Sequence, residues 1–559
     1  MNITLVSLNS QYIHSSLAPY CLLSGIKEYG TPSWQASVVE GTVNEPVEGV
    51  VQRILTAQPT AVGFCCYIWN IGRVYETITL LKEKLSDVII IVGGPEVGYR
   101  AQNVLEENPF IDYVITGEGE YALPALLQHL EQETIPTVAG VSYRSEDGVV
   151  SVPEQPLENP PSPYIEEYFE NLKGRIAYLE TSRGCPYSCA YCLSARCGKL
   201  KFYPIERAKE EIIKLANSGT KTVKFVDRTF NAHRERAKEL FSFIIKEIGN
   251  RIPLDVCFHF EIAGDLLDEE TIEILSTAPK GSMQLEVGIQ SFHEPTLEYI
   301  RRKIQVEKVI EKIQKVLAVG NIHIHIDLIA GLPLETYELF RESVNKAYSV
   351  GANMLQMGFL KLLHGSPMRD DPVRYPCTFN SLAPYEVVET PWITKEELQR
   401  LHKAEWALDK LYNSGRFFRS LKYALEITGI TPFDFLLAFG EWVSLPSGAS
   451  LSQVAQQFYT FCSQQKGIEQ PLLRNAMVCD WLSSVKGGRL PAFLQVQDER
   501  LGKFRKWLRK SETHAPKTGI ERGVALLYEP LRGIYVDYEI CDPVTGQYAL
   551  QIVDLNSLL

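Results

Sequence analysis

The chain has 559 residues, 45% of them hydrophobic and 22% charged, with a formal net charge of -12. That length is more than one hydrophobic core serves, the composition argues against general disorder, and the acidic balance argues against a broad electrostatic grip on nucleic acid. The twelve cysteines are scattered apart from Cys65-Cys66 and one dense group, which does not suit a secreted disulfide framework and implies a reduced compartment.

The opening residues, MNITLVSLNS, begin with an apolar strand-like run. No basic segment or cleavage site follows, and no stretch reaches the roughly 18 apolar residues of a spanning helix, so a cytoplasmic protein is expected. From Met1 to about Glu131 the runs ITLVSL, AVGFCCYI, VIIIVGG and DYVITGEGE alternate with amphipathic segments near Leu17 to Tyr29, near Val74 to Leu85 and near Ala101. This alternation predicts a doubly wound α/β domain, Rossmann-like or flavodoxin-like, over residues 1–135. Such sheets bind ligands beyond the carboxyl ends of their strands, which places Asn9 to His14, Cys66 to Asn70, Gly93 to Glu96 and Gly117 to Glu120 on one rim. Residues 136–170 predict a small hairpin around Glu146-Asp147-Gly148 and then a proline-rich linker, PLENPPSP.

Over residues 171–370 a second series runs RIAYLETSRGC, TVKFVDRTF, DVCFHFEIA, MQLEVGIQS, IHIHIDLIAGLP and NMLQMGFLKLL. Helix-length segments separate these strands, which predicts a partial or full (β/α) TIM-like barrel. Residues 371–559 change to long amphipathic helices such as Thr394 to Tyr412, then to the alternating GVALLYEP and GIYVDYEI, so a mostly helical α+β accessory domain is expected. The segment KFRKWLRK near Lys503 is locally basic and reads as a solvated helix face.

The dense cysteine group is Cys185-Pro-Tyr-Ser-Cys189-Ala-Tyr-Cys192, in a loop that directly follows the first strand of the second series. Three thiolates so placed can each take one iron of a four-iron cluster and leave the fourth iron open to a ligand. The competing readings are buried thiols or a zinc knuckle, for which Cys197 would be the fourth ligand.

C-x3-C-x2-C after the first strand of a βα series resembles the radical S-adenosylmethionine (radical SAM) superfamily. The resemblance implies a 4Fe-4S cluster on Cys185, Cys189 and Cys192, with S-adenosylmethionine chelating the open iron and cleaved reductively to a 5′-deoxyadenosyl radical. It also implies Tyr191 near the adenine and the segment from Asp227 through Thr229 to Asn231 near the methionine amino group, although the common Gly-Gly-Glu is missing there. Glu261, Glu286, Gln290, Ser291 and Asp327 resemble family positions around ribose and methionine, and Arg301 is a candidate bidentate partner of the methionine carboxylate. Each of these alone is equally readable as a strand-end polar residue or a surface ion pair. Their joint placement at successive strand ends favours a site.

A doubly wound domain ahead of such a barrel resembles the cobalamin (B12)-binding members of the superfamily, in a subgroup with a C-terminal accessory domain carried here by Pro384-Tyr-Glu-Val-Val and Thr390-Pro-Trp392. The loops Gly-Gly94-Pro95-Glu96 and Gly117-Glu118-Gly119-Glu120 fit that group, with glycines open to a large ligand or serving as turn residues. No Asp-x-His-x-x-Gly is present, and the lone His14 reads more readily as a hydrogen-bonded residue than as a cobalt ligand. Tyr67 or Trp69, on the loop that faces the corrin in such relatives, would shield the cobalt or simply pack.

The resemblance implies a cobalamin-dependent radical SAM methyltransferase acting on an unactivated carbon of a small-molecule or peptide substrate. A flavodoxin or ferredoxin would supply electrons, and neither membrane nor nucleic acid is expected as a partner. The alternatives are rearrangement or cyclisation without methyl transfer, tRNA methylthio transfer, and a non-enzymatic cluster or cobalamin sensor. The methylthio reading is weakened because Cys21, Cys65 and Cys66 lack the dispersed pattern of a second cluster and the tail lacks a basic face.

Overall fold

The computed structural model describes residues 1–559 except 157, 197–198, 488, 512–522 and 556–559. Cys197, the candidate fourth zinc ligand, therefore lies outside the described residues. The chain divides into two compact units, one of Met1–Leu266, Glu298–Lys303 and Phe359–Pro391, the other of Leu267–Leu297, Ile304–Gly358 and Trp392–Leu559.

The first unit opens with five short strands, β1 (Asn2–Asn9), β2 (Gln35–Thr42), β3 (Ala61–Cys65), β4 (Ile89–Gly93) and β5 (Tyr113–Ile115). They pair in parallel in the order β2-β1-β3-β4-β5. This is the flavodoxin-like doubly wound order, whose switch point falls between β1 and β3. β1, β3 and β4 are almost wholly buried apolar runs, as strands covered on both faces must be. The predicted hairpin forms as β6 (Val141–Ser145) and β7 (Gly148–Ser151), and it extends the parallel sheet antiparallel through β5. The sequence patterns for β1, β3, β4 and β5 are strong, but β2 was missed because QASVVEGT mixes polar and apolar residues without a clean period.

Beyond the linker the same unit holds β8 (Ala177–Leu179), the short antiparallel pair β9 (Ser182–Arg183) and β10 (Lys201–Phe202), then β11 (Thr222–Phe225) and β12 (Cys257–Ile262). β11 pairs in parallel with β8 and with β12. In the second unit β13 (Met283–Gln290) and β14 (His323–Ala330) pair in parallel, with β15 (Met354–Phe359) following. Burial alternates residue by residue along β13, so Gln284, Glu286, Gly288 and Gln290 share the less buried face. The second series thus contributes the parallel strands β8, β11 and β12 to the first unit, and β13 and β14, followed by β15, to the second.

The rest of the second unit is mostly helical, with helices Lys395–Leu408, Phe418–Thr428, Pro432–Trp442, Leu451–Ser463, Gln470–Ser484 and Glu499–Lys510 ahead of a three-stranded antiparallel sheet. Thr394 and Ser450 cap two of these helices by the reciprocal capping-box arrangement. Buried Asp480 accepts from the backbone N–H groups of Arg419 and Ser420, which satisfies the start of the Phe418–Thr428 helix. No helix among the described residues is long and apolar enough to cross a membrane.

Candidate functional site

The cysteine loop begins where β9 ends, and its shape is fixed by backbone bonds. Ala190 N–H donates to Ile300 O, and Met368 N–H donates to Ala190 O. Cys189 is buried, while Cys185 and Cys192 are partly exposed. Two of the sulfurs meet a donor: Arg302 Nη1 lies 3.9 Å from Cys189 Sγ and Ser194 N lies 3.4 Å from Cys192 Sγ, while Thr229 Oγ1, 3.3 Å from Cys185 Sγ, already donates to Arg228 O. Such donors stabilise thiolates that carry delocalised negative charge, and they tune a cluster's potential.

The three sulfurs do not converge on a point. Ligands of one zinc, about 2.3 Å from the metal, would lie within about 4 Å of each other. Among the described residues the one group of three whose ligand atoms lie within 4.8 Å of one another is Glu286, His325 and Asp327.

Arg301 is exposed and sits at φ 60°, and this left-handed turn sends the next residue inward. Arg302, which sequence reasoning missed, therefore meets Cys189 and lies over the Tyr187 ring. Tyr191, beside Cys192, has its hydroxyl pKa pushed up by burial.

Asp227, just beyond β11, is buried and accepts from Thr181 N at 2.9 Å, Thr181 Oγ1 at 2.7 Å and Ser182 Oγ, so both its oxygens tie the end of β11 to the segment between β8 and the cysteine loop. Burial pushes its pKa up to about 6 against those donors. Glu261 on β12 lies 3.6 Å from Lys224 Nζ.

In the second unit, β13 and β14 present Glu286, His325 and Asp327 together. His325 Nε2 is 2.9 Å from Asp327 Oδ1, and its Nδ1 is 4.0 Å from Glu286 Oε2. His325 was missed, although the alternation in HIHIDL puts it on the same face as Asp327. Gln290 sits at φ 75° beside a register shift in the β13–β14 pairing, and its Oε1 is buried without a hydrogen-bond partner among the described residues. A buried acceptor held open in this way suits a bound donor.

Ser291 is fully buried, donates to Glu335 Oε1 at 2.6 Å and accepts from His293 N. Glu335 also accepts from Ser343 at 2.9 Å, and burial pushes its pKa up to about 7. A carboxyl whose folded pKa is raised keeps its proton where the unfolded chain, near 4.5, has lost it. The second unit is therefore expected to lose stability as pH rises from about 4.5 to about 7, and Glu335→Gln is expected to flatten that slope in urea unfolding followed across pH. An unchanged slope would show that Glu335 ionises freely.

At the switch point of the first sheet, Asn70 fixes the loop after β3. Its Nδ2 donates to Leu8 O at 3.1 Å and Cys65 O at 3.0 Å, and its Oδ1 accepts from Tyr67 N–H. Tyr67 and Trp69 stack with ring centroids 4.4 Å apart. Trp69 remains 50% exposed with its Nε1 donating to Leu8 O, and Tyr12 and Ile13 on the loop after β1 are exposed as well. Large apolar side chains left in water around a switch point mark a ligand rim. His14 is committed elsewhere, since its Nδ1 lies 2.7 Å from Tyr178 Oη.

At the glycine loops the protein itself fills the space where a Cβ would stand. Gly94 has φ 113°, and a Cβ there would meet Cys66 O at 2.5 Å. A Cβ on Gly117 would meet Glu154, and one on Gly119 would meet Leu22. Gly94→Ala is expected to destabilise the first unit by about 1–3 kcal/mol, read as a lower melting midpoint. Pro95 starts the short helix Pro95–Gly98, and Glu96 is buried, where it accepts the Tyr385 hydroxyl rather than facing a rim. Glu118 pairs with Lys201 Nζ at 3.1 Å and Arg183 Nη1 at 3.7 Å, while Glu120 pairs with Arg183 Nη2. Arg183 Nε also holds Glu180, at 2.9 Å. One guanidinium thus ties the loop after β5 to the segment two residues ahead of Cys185.

Residues 179–347 match the Radical SAM superfamily model, residues 9–127 the B12 binding domain, and residues 373–520 the protein of unknown function DUF4080. The cobalamin-dependent radical SAM methyltransferase TokK of Streptomyces tokunonensis is 28% identical over 349 residues, 58% of this chain and 49% of TokK. The structure of the cobalamin-dependent S-adenosylmethionine radical enzyme OxsB, with aqua-cobalamin bound, superposes with a TM-score of 0.59 at 17% identity, covering 93% of this chain and 83% of that one. The radical S-adenosylmethionine methyltransferase TsrM of Kitasatospora setae, with cobalamin and a [4Fe-4S] cluster bound, gives a TM-score of 0.55 at 19% identity, covering 66% of this chain and 73% of that one. The chain spans about half the length of the curated relatives it matches first.

Proposed function

For a chain that carries a radical SAM domain behind a B12 binding domain, we propose methylation of an unactivated carbon, with both S-adenosylmethionine and cobalamin as cofactors. The observation that carries this reading is the loop of three thiols, two of them met by a donor, in a unit whose flavodoxin-like sheet also keeps an aromatic rim in water at its switch point. The relatives TokK and TsrM, named as methyltransferases, support it.

Cys185, Cys189 and Cys192 would hold a 4Fe-4S cluster, with Arg302 and the Ser194 N–H as donors to the Cys189 and Cys192 sulfurs. Tyr191, Glu261, Glu286, Gln290 and Asp327 bind S-adenosylmethionine, Gln290 through its open carbonyl. Tyr67 and Trp69 would pack against the corrin, and His14 is bonded to Tyr178. When bound, these groups supply reductive cleavage of S-adenosylmethionine to a 5′-deoxyadenosyl radical and a transferable methyl group. Asp227 fixes the strand end beneath the cysteine loop, and the Arg183 cluster holds the loop after β5 against that segment. Holding reactive groups in place is itself catalytic, worth about 7–11 kcal/mol in good cases.

The organisation is a cobalamin-binding domain over 1–135, a hairpin and linker over 136–170, a radical SAM barrel over 171–370 and an accessory domain over 371–559. The protein works in the cytoplasm with a flavodoxin or ferredoxin donor on a small molecule or peptide. The test is anaerobic: reconstitute the cluster, supply cobalamin, desalt, record the visible spectrum, and assay S-adenosylmethionine products. Retained corrin bands with 5′-deoxyadenosine and S-adenosylhomocysteine formed together support the methyltransferase. A spectrum without corrin bands from protein that still forms 5′-deoxyadenosine overturns the cobalamin half, and 5′-deoxyadenosine without methyl transfer to any substrate favours rearrangement.

A further inference from the structure

Among the described residues of this acidic chain is a cavity whose charged lining is all basic. It lies in the second unit, has a volume of about 610 Å³, and is lined by Arg474, Arg489 and Arg505 with no carboxylate among its described lining residues. Arg474, on the Gln470–Ser484 helix, is 8% exposed. Its Nε donates to Leu494 O at 3.0 Å and its Nη1 to Leu526 O at 2.9 Å, and its guanidinium lies over the Tyr528 ring. Carbonyls and a ring hold the guanidinium in place but do not neutralise it, and among the described residues no carboxylate pairs with it. Burial pushes its pKa down, as an uncompensated charge requires.

Arg505 adds an independent observation. It belongs to the basic segment that the sequence reads as a solvated face, yet its Nε is buried without a hydrogen-bond partner among the described residues. The nearby carboxylate, Asp498, is already occupied by Arg500 and by the Tyr528 hydroxyl. The remaining wall is apolar, with Leu490, Val496, Leu501 and Leu526.

We propose that this cavity binds a small organic anion, a phosphate or carboxylate on an apolar body, with Arg474, Arg489 and Arg505 on the anionic group and the aliphatic wall on the rest. Three guanidiniums offer the forked donors that planar or tetrahedral oxyanions accept in pairs, and a ligand charge would offset the unpaired burial of Arg474. The site is independent of the cysteine loop and does not rest on the methyltransferase reading.

The probe is phenyl phosphate, titrated calorimetrically into the full-length, cluster-loaded protein, with benzoate, inorganic phosphate and phenol in parallel. Arg474→Gln is avoided because that residue also holds two backbone carbonyls. Arg489→Gln and Arg505→Gln are each expected to weaken phenyl phosphate about tenfold, and the double variant about a hundredfold, with circular dichroism and iron content unchanged. One saturable site per chain for phenyl phosphate or benzoate, with weaker binding of inorganic phosphate and none of phenol, supports the proposal. Absence of saturable heat, or an affinity within twofold of wild type in the double variant, overturns it.

Discussion

Cys189→Ala is expected to reduce S-adenosylmethionine cleavage to background and to lower iron and sulfide content sharply after anaerobic reconstitution. Of the three thiols Cys189 is the one that is buried, and its sulfur is the one Arg302 faces. Removing it takes away a ligand and leaves a buried guanidinium against a methyl group. Arg302→Gln separates these two effects. It keeps the ligand set and alters only the donor, so iron content should hold while cleavage falls about 10- to 100-fold, the usual effect of losing a group that orients a metal ligand. Equal cleavage in Cys189→Ala and wild type would remove the cluster from that loop. Equal cleavage in Arg302→Gln would show that the guanidinium packs without influencing the sulfur.

Arg183→Met is expected to destabilise the first unit by about 3–5 kcal/mol, because breaking a buried ion pair leaves the partner charges without compensation. The partners here are Glu120, which is 3% exposed, Glu180 and Glu118. Burial already pushes the Glu180 pKa up, and the guanidinium is the largest influence opposing that. Without it at least one carboxyl should take up a proton, so the loss of stability should be larger at pH 8 than at pH 5. Glu120→Gln on the Arg183→Met background should recover part of the loss, since one buried charge is gone. The measurement is the midpoint of the first urea transition in the wild type, the single variant and the double variant. A midpoint that stays in place in Arg183→Met would mean that water already compensates Glu120.

The same contacts show where sequence reasoning stops. The amide of Asn70 and the guanidinium of Arg183 each join segments far apart in the chain, as in the contacts of Asn70 with Leu8 and of Arg183 with Glu120. No periodicity foreshadows such pairs. The glycine loops looked open because glycine is small, yet whether a missing Cβ makes room for a ligand or for the protein depends on what packs there. For Gly94 it is the Cys66 carbonyl.

By itself the sequence determined the strand–helix alternation, the parallel character of β1, β3 and β4, the cysteine spacing and the polar face of β14. Each of these follows from local periodicity or from covalent spacing, which the chain carries wherever it is placed. Only the tertiary structure decided which polar residues stay available. Asp227 and Ser291 are consumed by neighbours, Gln290 keeps a carbonyl open, Arg302 rather than Arg301 turns to the cysteines, and Arg505 leaves the solvated face for a cavity. A hydrogen bond or an ion pair depends on the position of both partners, and that position is set by packing between segments distant in sequence.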